Sequence, residues 1–519
     1  MTSELDALGA AGEGNLLDLI RANALAAPHK TALVCGSDVV DYATLIARVE
    51  AVAAVFATEG VSAGDSIGLA LPNGLPFVVA LLAAAHCGAA IAPMNTTLPP
   101  DDLRRLFEAA GCRHVIATVE LLDALTEAGA RRTLDGTWLT DRGTGAWRGI
   151  DAVCRIDAEP NCAVPVRDGL DRPLILTMTS GSTGDPKPIV LLQRTKVQRA
   201  ASAAALYGVG ADDVVLASTP LYHSLAERLV LMPLMLGATA VVLKRFSADH
   251  WMESVEATGT TFTICVSSQL AQLIDRLAVP DAASSLRCLV SSSAALPTPV
   301  KEAALRSIRF AFHECYGASE VAIATNLHAN AFPEKLDTVG TPIGGVELRI
   351  LGDDGTVLGP GEVGEIAVRT PMAYAGYLRQ PQRTAEAHRD GFFLTGDLGR
   401  IDADGFLSYL GRKKELIITG GVNVYPADVE RVARAWPGVI DAVACGVEDA
   451  DLGEVIGLAL ALHDVDGFDL RAFRRHCATA LADFQQPSRF MRLETLPLNA
   501  LGKIDRRAIK QRFASQGSH

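Results

Sequence analysis

The sequence predicts an α/β protein: a large N-terminal domain of layered β-sheets flanked by helices, followed by a small α+β domain. Three observations carry this. The chain has 519 residues, too many for one ordinary hydrophobic core. Over most of its length short apolar, strand-like runs alternate with longer helix-like stretches, the order that mostly parallel sheets require. In the last quarter that alternation gives way to a hairpin signal and a compact mixture of strands and helices.

In chain order, residues 65–71 (DSIGLAL) read as a buried strand, 75–86 (LPFVVALLAAAH) as a helix and 89–93 as the next strand. The same strand–helix–strand order recurs at 214–218, 229–236 and 238–243. The apolar stretch 229–243 is bounded by Arg228 and Lys244, interrupted by Pro233 and Gly237, and short for a bilayer span, so it is expected in the core. Residues 402–405 (DADG) signal a hairpin. Beyond the basic run Gly411-Arg412-Lys413-Lys414, a strand is expected at 415–419, a helix at 426–435, strands at 439–447 and 455–462, and a helix at 469–481. The boundary is placed near Lys414, dividing the chain into 1–412 and 413–519.

The net charge of -13 excludes a nucleic-acid partner, whose phosphates demand a basic face, and argues against an anionic membrane. A phosphorylated substrate stays open, since a site needs only local basic groups. Ten cysteines are scattered without a C-x-x-C pair, which supports neither metal nor disulfide; Cys87, Cys265, Cys288 and Cys445 sit in apolar runs and read as small core residues. A reducing cytoplasm fits this usage, and the first fifteen residues lack a basic start and an apolar signal core.

Residues 177–187 (TMTSGSTGDPK) lie between two apolar strand-like runs. Densely packed hydroxyls and glycines can wrap a polyphosphate with backbone N–H and side-chain O–H donors, and Gly181 and Gly184 allow close backbone approach. It is not a Walker A loop, because Pro186 precedes the lysine and a strand follows instead of a helix. A flexible surface turn is the plainer reading of this string alone.

Six motifs in order give the chain its resemblance to the adenylate-forming superfamily of acyl-CoA synthetases, adenylation domains and luciferases. They are 179–187 (TSGSTGDPK), Pro220-Leu221-Tyr222-His223, Tyr316-Gly317-Ala318-Ser319-Glu320, Thr395-Gly396-Asp397, 411–430 (GRKKELIITGGVNVYPADVE) and 497–503 (PLNALGK). Departures are Pro188 for a usual glycine, Gln193 for a frequent histidine, and Phe484-Gln485 for a common Tyr-Lys.

The resemblance implies a two-step, ATP-dependent ligase with Mg²⁺, whose small, mobile C-terminal domain swings about Lys414 between the steps. It assigns Thr179, Ser180, Gly181, Ser182, Thr183, Gly184 and Lys187 to the β- and γ-phosphates, Ser319 to the α-phosphate and Glu320 to the metal. Ser319 as a helix N-cap is the alternative. Asp397 would accept both ribose hydroxyls, and Arg412 would reach ribose or phosphate. Ser293, Ala294 and Ala295 would border adenine, Tyr316 would stack on it, and Glu314 and Cys315 complete the nucleotide set. Lys503 would touch the substrate carboxylate and the α-phosphate, lowering their mutual repulsion. Gly420-Gly421 would line a pantetheine tunnel for coenzyme A, or be a simple turn.

The acyl pocket is expected between Tyr222, His223, Val266, Ser267, Gly317 and Ala318, with His223 at the end of an apolar strand as a gate. No cationic residue stands out there for a second carboxylate, and the serines suit an aromatic or hydroxylated acid. The default reading is an acyl- or aryl-CoA synthetase acting on a small carboxylic acid. The alternatives are a freestanding adenylation enzyme serving a carrier protein, an enzyme with another small nucleophile, and an inactive nucleotide-binding protein, which the intact motifs oppose. Acylation of Lys503 would switch adenylation off. A dimer is compatible with the sequence but not indicated by it.

Overall fold

The computed structural model describes residues 14–143, 147–150, 169–180, 186–293, 296, 298–497 and 504–516. Its strands form a nine-stranded, a six-stranded and two five-stranded sheets. The nine-stranded sheet has a parallel centre in the order Ala311–Ala318, Cys288–Ser292, Phe262–Val266, Val214–Ala217, Thr239–Val242 and Thr31–Cys35. Antiparallel strands close both its edges. The six-stranded sheet is parallel except for Pro186–Leu192, which returns along Pro173–Ser180.

Five helices, Leu16–Ala26, Tyr42–Thr58, Leu75–Cys87, Gln193–Tyr207 and Ser224–Leu236, share one core with residues of both sheets. Burial on all sides explains their composition. In Leu75–Cys87 every residue but Pro76 is buried; Pro76 sits in the first turn, and Gly88 ends the helix at φ 71°. Each Leu, Val or Phe closed off in this way contributes about 1.5–3 kcal/mol. Gln193 fastens three of these helices, accepting from the Leu16 N–H (2.9 Å) and donating to the Ala85 carbonyl (3.3 Å). A departure from the family pattern is here a structural rivet. The stretch 229–243 is core, as expected, split by Gly237 (φ 75°) into the end of a helix and the strand Thr239–Val242. Among the described residues no helix is long and apolar enough to cross a membrane.

The chain runs from Val214–Ala217 to its neighbour Thr239–Val242, then crosses back to pair Phe262–Val266 on the opposite side of Val214–Ala217. Strand order therefore reverses between Val214–Ala217 and Phe262–Val266. A ligand crevice is expected outside the carboxyl ends of parallel strands at such a point, and those ends lead into Tyr222-His223 and Val266-Ser267.

The third sheet is antiparallel and includes Phe392–Ile401 and Leu407–Arg412, joined at the expected DADG turn. There Asp402 accepts the N–H groups of Asp404 and Phe406, both at 2.9 Å. The chain then passes through Lys413–Glu415 into the fourth sheet, which with helices Pro426–Arg434 and Leu470–Ala480 closes a separate hydrophobic core. Arg506, at the start of the last helix, pairs with Glu415 (3.0 Å) and Glu430 (2.7 Å).

Local expectations are corrected at three places. The strands on either side of the glycine-rich motif reach further into it than expected: one continues to Ser180 and the other begins at Pro186, paired antiparallel with Thr179 opposite Lys187. His223 does not end a strand but caps the helix Ser224–Leu236. Ser319-Glu320 starts no helix; it is the turn between the antiparallel strands Ala311–Ala318 and Ala322–His328.

Candidate active site

The corner around Asp397, expected to take ribose, is built by register. Gly396, at φ 70°, takes a left-handed conformation inside the strand Phe392–Ile401. Asp397 then lies opposite Arg412 across the hairpin. The Asp397 side chain is buried and accepts a hydrogen bond from Tyr316 Oη (2.7 Å). Its Oδ1 lies 2.9 Å from Arg412 Nε but is not aligned with it, and is left without a hydrogen bond. Burial raises the Asp397 carboxyl to about 6, against the opposing pull of Arg412. One buried oxygen without a donor, beside a fixed arginine, fits a ligand hydroxyl.

The corner around Lys187 and Glu320, expected to take phosphate, is held by one short segment. Along the outer edge of Pro186–Leu192, the Ala375 N–H donates to the Val190 carbonyl (2.9 Å) and the Leu378 N–H to the Pro188 carbonyl (2.9 Å). Pro188 is tolerated because this joint uses its carbonyl and not an N–H. The same segment donates from the Tyr374 N–H to the Glu320 carbonyl (2.7 Å). Arg199 binds from the buried side, giving Nε to the Met372 carbonyl (3.1 Å) and Nη2 to the carbonyls of Ser319 (2.9 Å) and Glu320 (3.2 Å). Glu320 Oε1 accepts from Tyr377 Oη (3.1 Å), and Lys187 Nζ lies 5.3 Å from the centre of the Tyr377 ring. Burial, with Lys414 and Arg383 nearby, lowers the Lys187 ammonium pKa, and Glu320 opposes the shift. Lys187, Glu320 and Lys414 thus share one electrostatic neighbourhood. Among the described residues no three His, Cys, Asp or Glu side chains cluster as a metal site. Glu320 as a lone carboxylate suits an ion that takes its remaining ligands from phosphate and water.

At the acyl corner the Tyr222 and His223 rings lie 4.4 Å apart. Val266 ends one strand and Ser267 opens the following helix. Gly317 must be glycine, since a Cβ there would lie 1.8 Å from the Ala322 carbonyl oxygen. Ala318 follows it at the strand end, and Ser293 turns the chain at φ 75°.

The Glu314 and Cys315 side chains do not join the nucleotide set. Glu314 is buried against Lys301 (2.6 Å) and accepts the Leu296 N–H (2.9 Å), and Cys315 is buried in the core; only their backbones remain for a ligand. Gly420 and Gly421, at φ 56° and 79°, make the two-residue turn between Ile417–Thr419 and Val422–Val424, and Gly420 donates to the Leu452 carbonyl (2.9 Å) within the fourth sheet. Gly181, Ser182, Thr183, Gly184, Ala294, Ala295 and Lys503 lie outside the described residues, as do the side chains of Thr179 and Ser180. Sequence reasoning missed Arg199, Tyr374 and Tyr377. Arg199 had a legible signal: a cation on a helix that two sheets enclose must find partners inside.

Residues 20–378 match the family described as AMP-binding enzyme. The chain is 32% identical to the sulfoacetate–CoA ligase of Cupriavidus necator, over 87% of this chain and 88% of that protein. It is 31% identical to the feruloyl-CoA synthase of an Amycolatopsis species, with 94% and 96% covered. In structure it is similar to ATP-bound MatB from Rhodopseudomonas palustris, with a TM-score of 0.87 at 26% identity over 96% of this chain and 99% of that one.

Proposed function

Because the chain belongs to the AMP-binding enzyme family and is an AMP-forming acyl- or aryl-CoA ligase, we propose how its residues divide the two half-reactions. In the first, the acid carboxylate attacks the α-phosphorus of ATP and pyrophosphate leaves, forming the acyl-adenylate. Positioning and charge neutralisation carry such a transfer. Asp397 accepts the ribose hydroxyls, Tyr316 borders adenine, and the hairpin containing Lys187 holds the β- and γ-phosphates. Glu320 holds Mg²⁺, which when bound neutralises phosphate charge. Lys503 neutralises the charge of the carboxylate and the α-phosphate. In the second half-reaction the thiol of coenzyme A attacks the adenylate carbonyl and AMP leaves; rotation near Lys414 withdraws Lys503 and presents the Gly420-Gly421 turn.

The observation that supports this best is the joining of Glu320, Lys187 and Tyr377 through Arg199 and the segment 372–378, with the Asp397 oxygen that pairs with Arg412 but has no hydrogen bond as the ribose acceptor. The eight described cysteines lie buried as thiols, which supports a reducing compartment, the cytoplasm.

The test is pyrophosphate release with ATP and Mg²⁺ across aromatic, hydroxylated and short-chain acids, with and without coenzyme A. The expected result is pyrophosphate with one acid class, and AMP with a thioester once coenzyme A is added. Lys503→Ala should slow adenylation at least about 100-fold, as loss of a preorganised electrostatic contact does, while thioester formation from supplied adenylate changes little. An adenylate that ignores coenzyme A would move the reading to a carrier protein or another nucleophile.

A further inference from the structure

The helix Ser224–Leu236 is enclosed over nearly its whole surface. Only Ser224, Leu225 and Arg228 keep accessible surface, at the spacing of one helical face, and they continue the accessible pair Tyr222 and His223 of the acyl corner. Arg228 is the unexplained member. Its Nε is buried without an acceptor, and among the described residues no carboxylate lies within ion-pair distance of its guanidinium. Glu227, its neighbour in sequence, is committed to Lys196 at 2.7 Å. The charged and titratable groups that act on Arg228, or on which it acts, are Cys315, Tyr207, Glu227, Lys196 and Arg199. Glu227 acts on all three cations, Lys196, Arg199 and Arg228, and Glu320 acts besides on Arg199. Cys315, on which Arg228 acts, directly precedes Tyr316-Gly317-Ala318, so the field of this guanidinium reaches the strand that ends at the acyl corner.

A guanidinium whose Nε is buried without an acceptor, and which no carboxylate among the described residues pairs, is unfavourable, and such groups concentrate at functional sites where a ligand completes them. Its planar fork matches a carboxylate or sulfonate in two-point contact. We propose that Arg228 is the counter-ion for a second anionic group on the acid, so that this enzyme activates acids bearing a carboxylate or sulfonate beyond the carboxylate that reacts. This rests on the ligase reading and narrows its substrate class.

The test measures pyrophosphate release at saturating ATP with matched acids: a monoacid, the same skeleton ending in a second carboxylate, and the same ending in a sulfonate, in short-chain and aromatic series. Wild type should favour at least one dianionic acid over its monoacid match by about 100-fold in kcat/KM, the size typical of a buried charge pair; which acid wins separates carboxylate from sulfonate. Arg228→Met should bring that ratio close to one, mainly through KM for the acid, with KM for ATP unchanged. Arg228→Lys keeps the charge without the fork and should retain part of the preference; it decides the matter if the Met variant does not fold. Equal or better use of the monoacids by wild type, or an unchanged ratio in Arg228→Met, overturns the role of Arg228 alone. Turnover of no acid, with ATP still bound, removes the ligase reading and this inference with it.

Discussion

Replacing Asp397 with Asn separates two quantities that usually fall together, stability and nucleotide use. The Asp397 carboxyl is raised from 3.8 to about 6 by burial, so the native protein binds more protons than the unfolded chain between those values. This group therefore weakens the fold as pH rises through that window, and at neutral pH the cost reaches roughly two pKa units, about 3 kcal/mol. Asn keeps an acceptor for the Tyr316 hydroxyl, and Arg412, half-exposed, loses little by losing the charge. Asp397→Asn is accordingly expected to melt higher than wild type at pH 7.5 and to match it near pH 4. Function moves the other way. The ribose hydroxyls lose a charged acceptor, worth about 1.5–3 kcal/mol for each hydrogen bond to a charged group, so kcat/KM for ATP should fall at least about tenfold. In wild type only the carboxylate form binds. With a carboxyl near 6 the competent fraction at pH 5 is roughly a tenth of that at pH 7, and kcat/KM for ATP should fall about tenfold across the interval. Steady-state pyrophosphate release at limiting ATP, with stability followed in parallel by thermal melts, checks both. A variant that melts lower than wild type at pH 7.5, or one that keeps the wild-type slope between pH 5 and 7, refutes this account of the residue.

Other outcomes follow from the same geometry. Gly317→Ala places a methyl group against the Ala322 carbonyl, and the resulting backbone shift should destabilise the protein by more than about 2 kcal/mol, read as a lower denaturant midpoint. Arg199→Met removes three carbonyl contacts behind Ser319, Glu320 and Met372. It should raise the Mg²⁺ concentration for half-maximal pyrophosphate release and lower kcat by about 10- to 100-fold, leaving KM for the acid nearly unchanged; an unaltered Mg²⁺ dependence would count against a positioning role.

Much of the fold was legible because period and punctuation agree locally. Residues 75–86 are apolar all round and end at Gly88, and the DADG turn carries its own aspartate acceptor. The motifs also single out residues that the fold brings together: Asp397 lies opposite Arg412, and Lys187 and Glu320 share the Tyr377 side chain. What escaped depends on contacts between distant segments. Lys196 and Arg199 lie on Gln193–Tyr207, a helix between two sheets, and Lys196 finds Glu227 on the next helix. Arg228 reads in the sequence as the polar border of an apolar run, although its Nε is buried without an acceptor. The side-chain direction of Glu314 depends on Lys301, which no local pattern announces.

The segment from Met372 to Leu378 also acts as a ruler. One end hangs on Arg199 and the Glu320 turn, the other on the hairpin strand through Val190 and Pro188. An extended chain advances about 3.3 Å per residue and turns its side chains over at each step. Deleting a single residue within it would leave both anchors in place and move Tyr377 off Glu320. The distance between the Glu320 carboxylate and the strand that carries Lys187 is thus written as a residue count, and a change of side chain along this stretch disturbs it far less than a change of length.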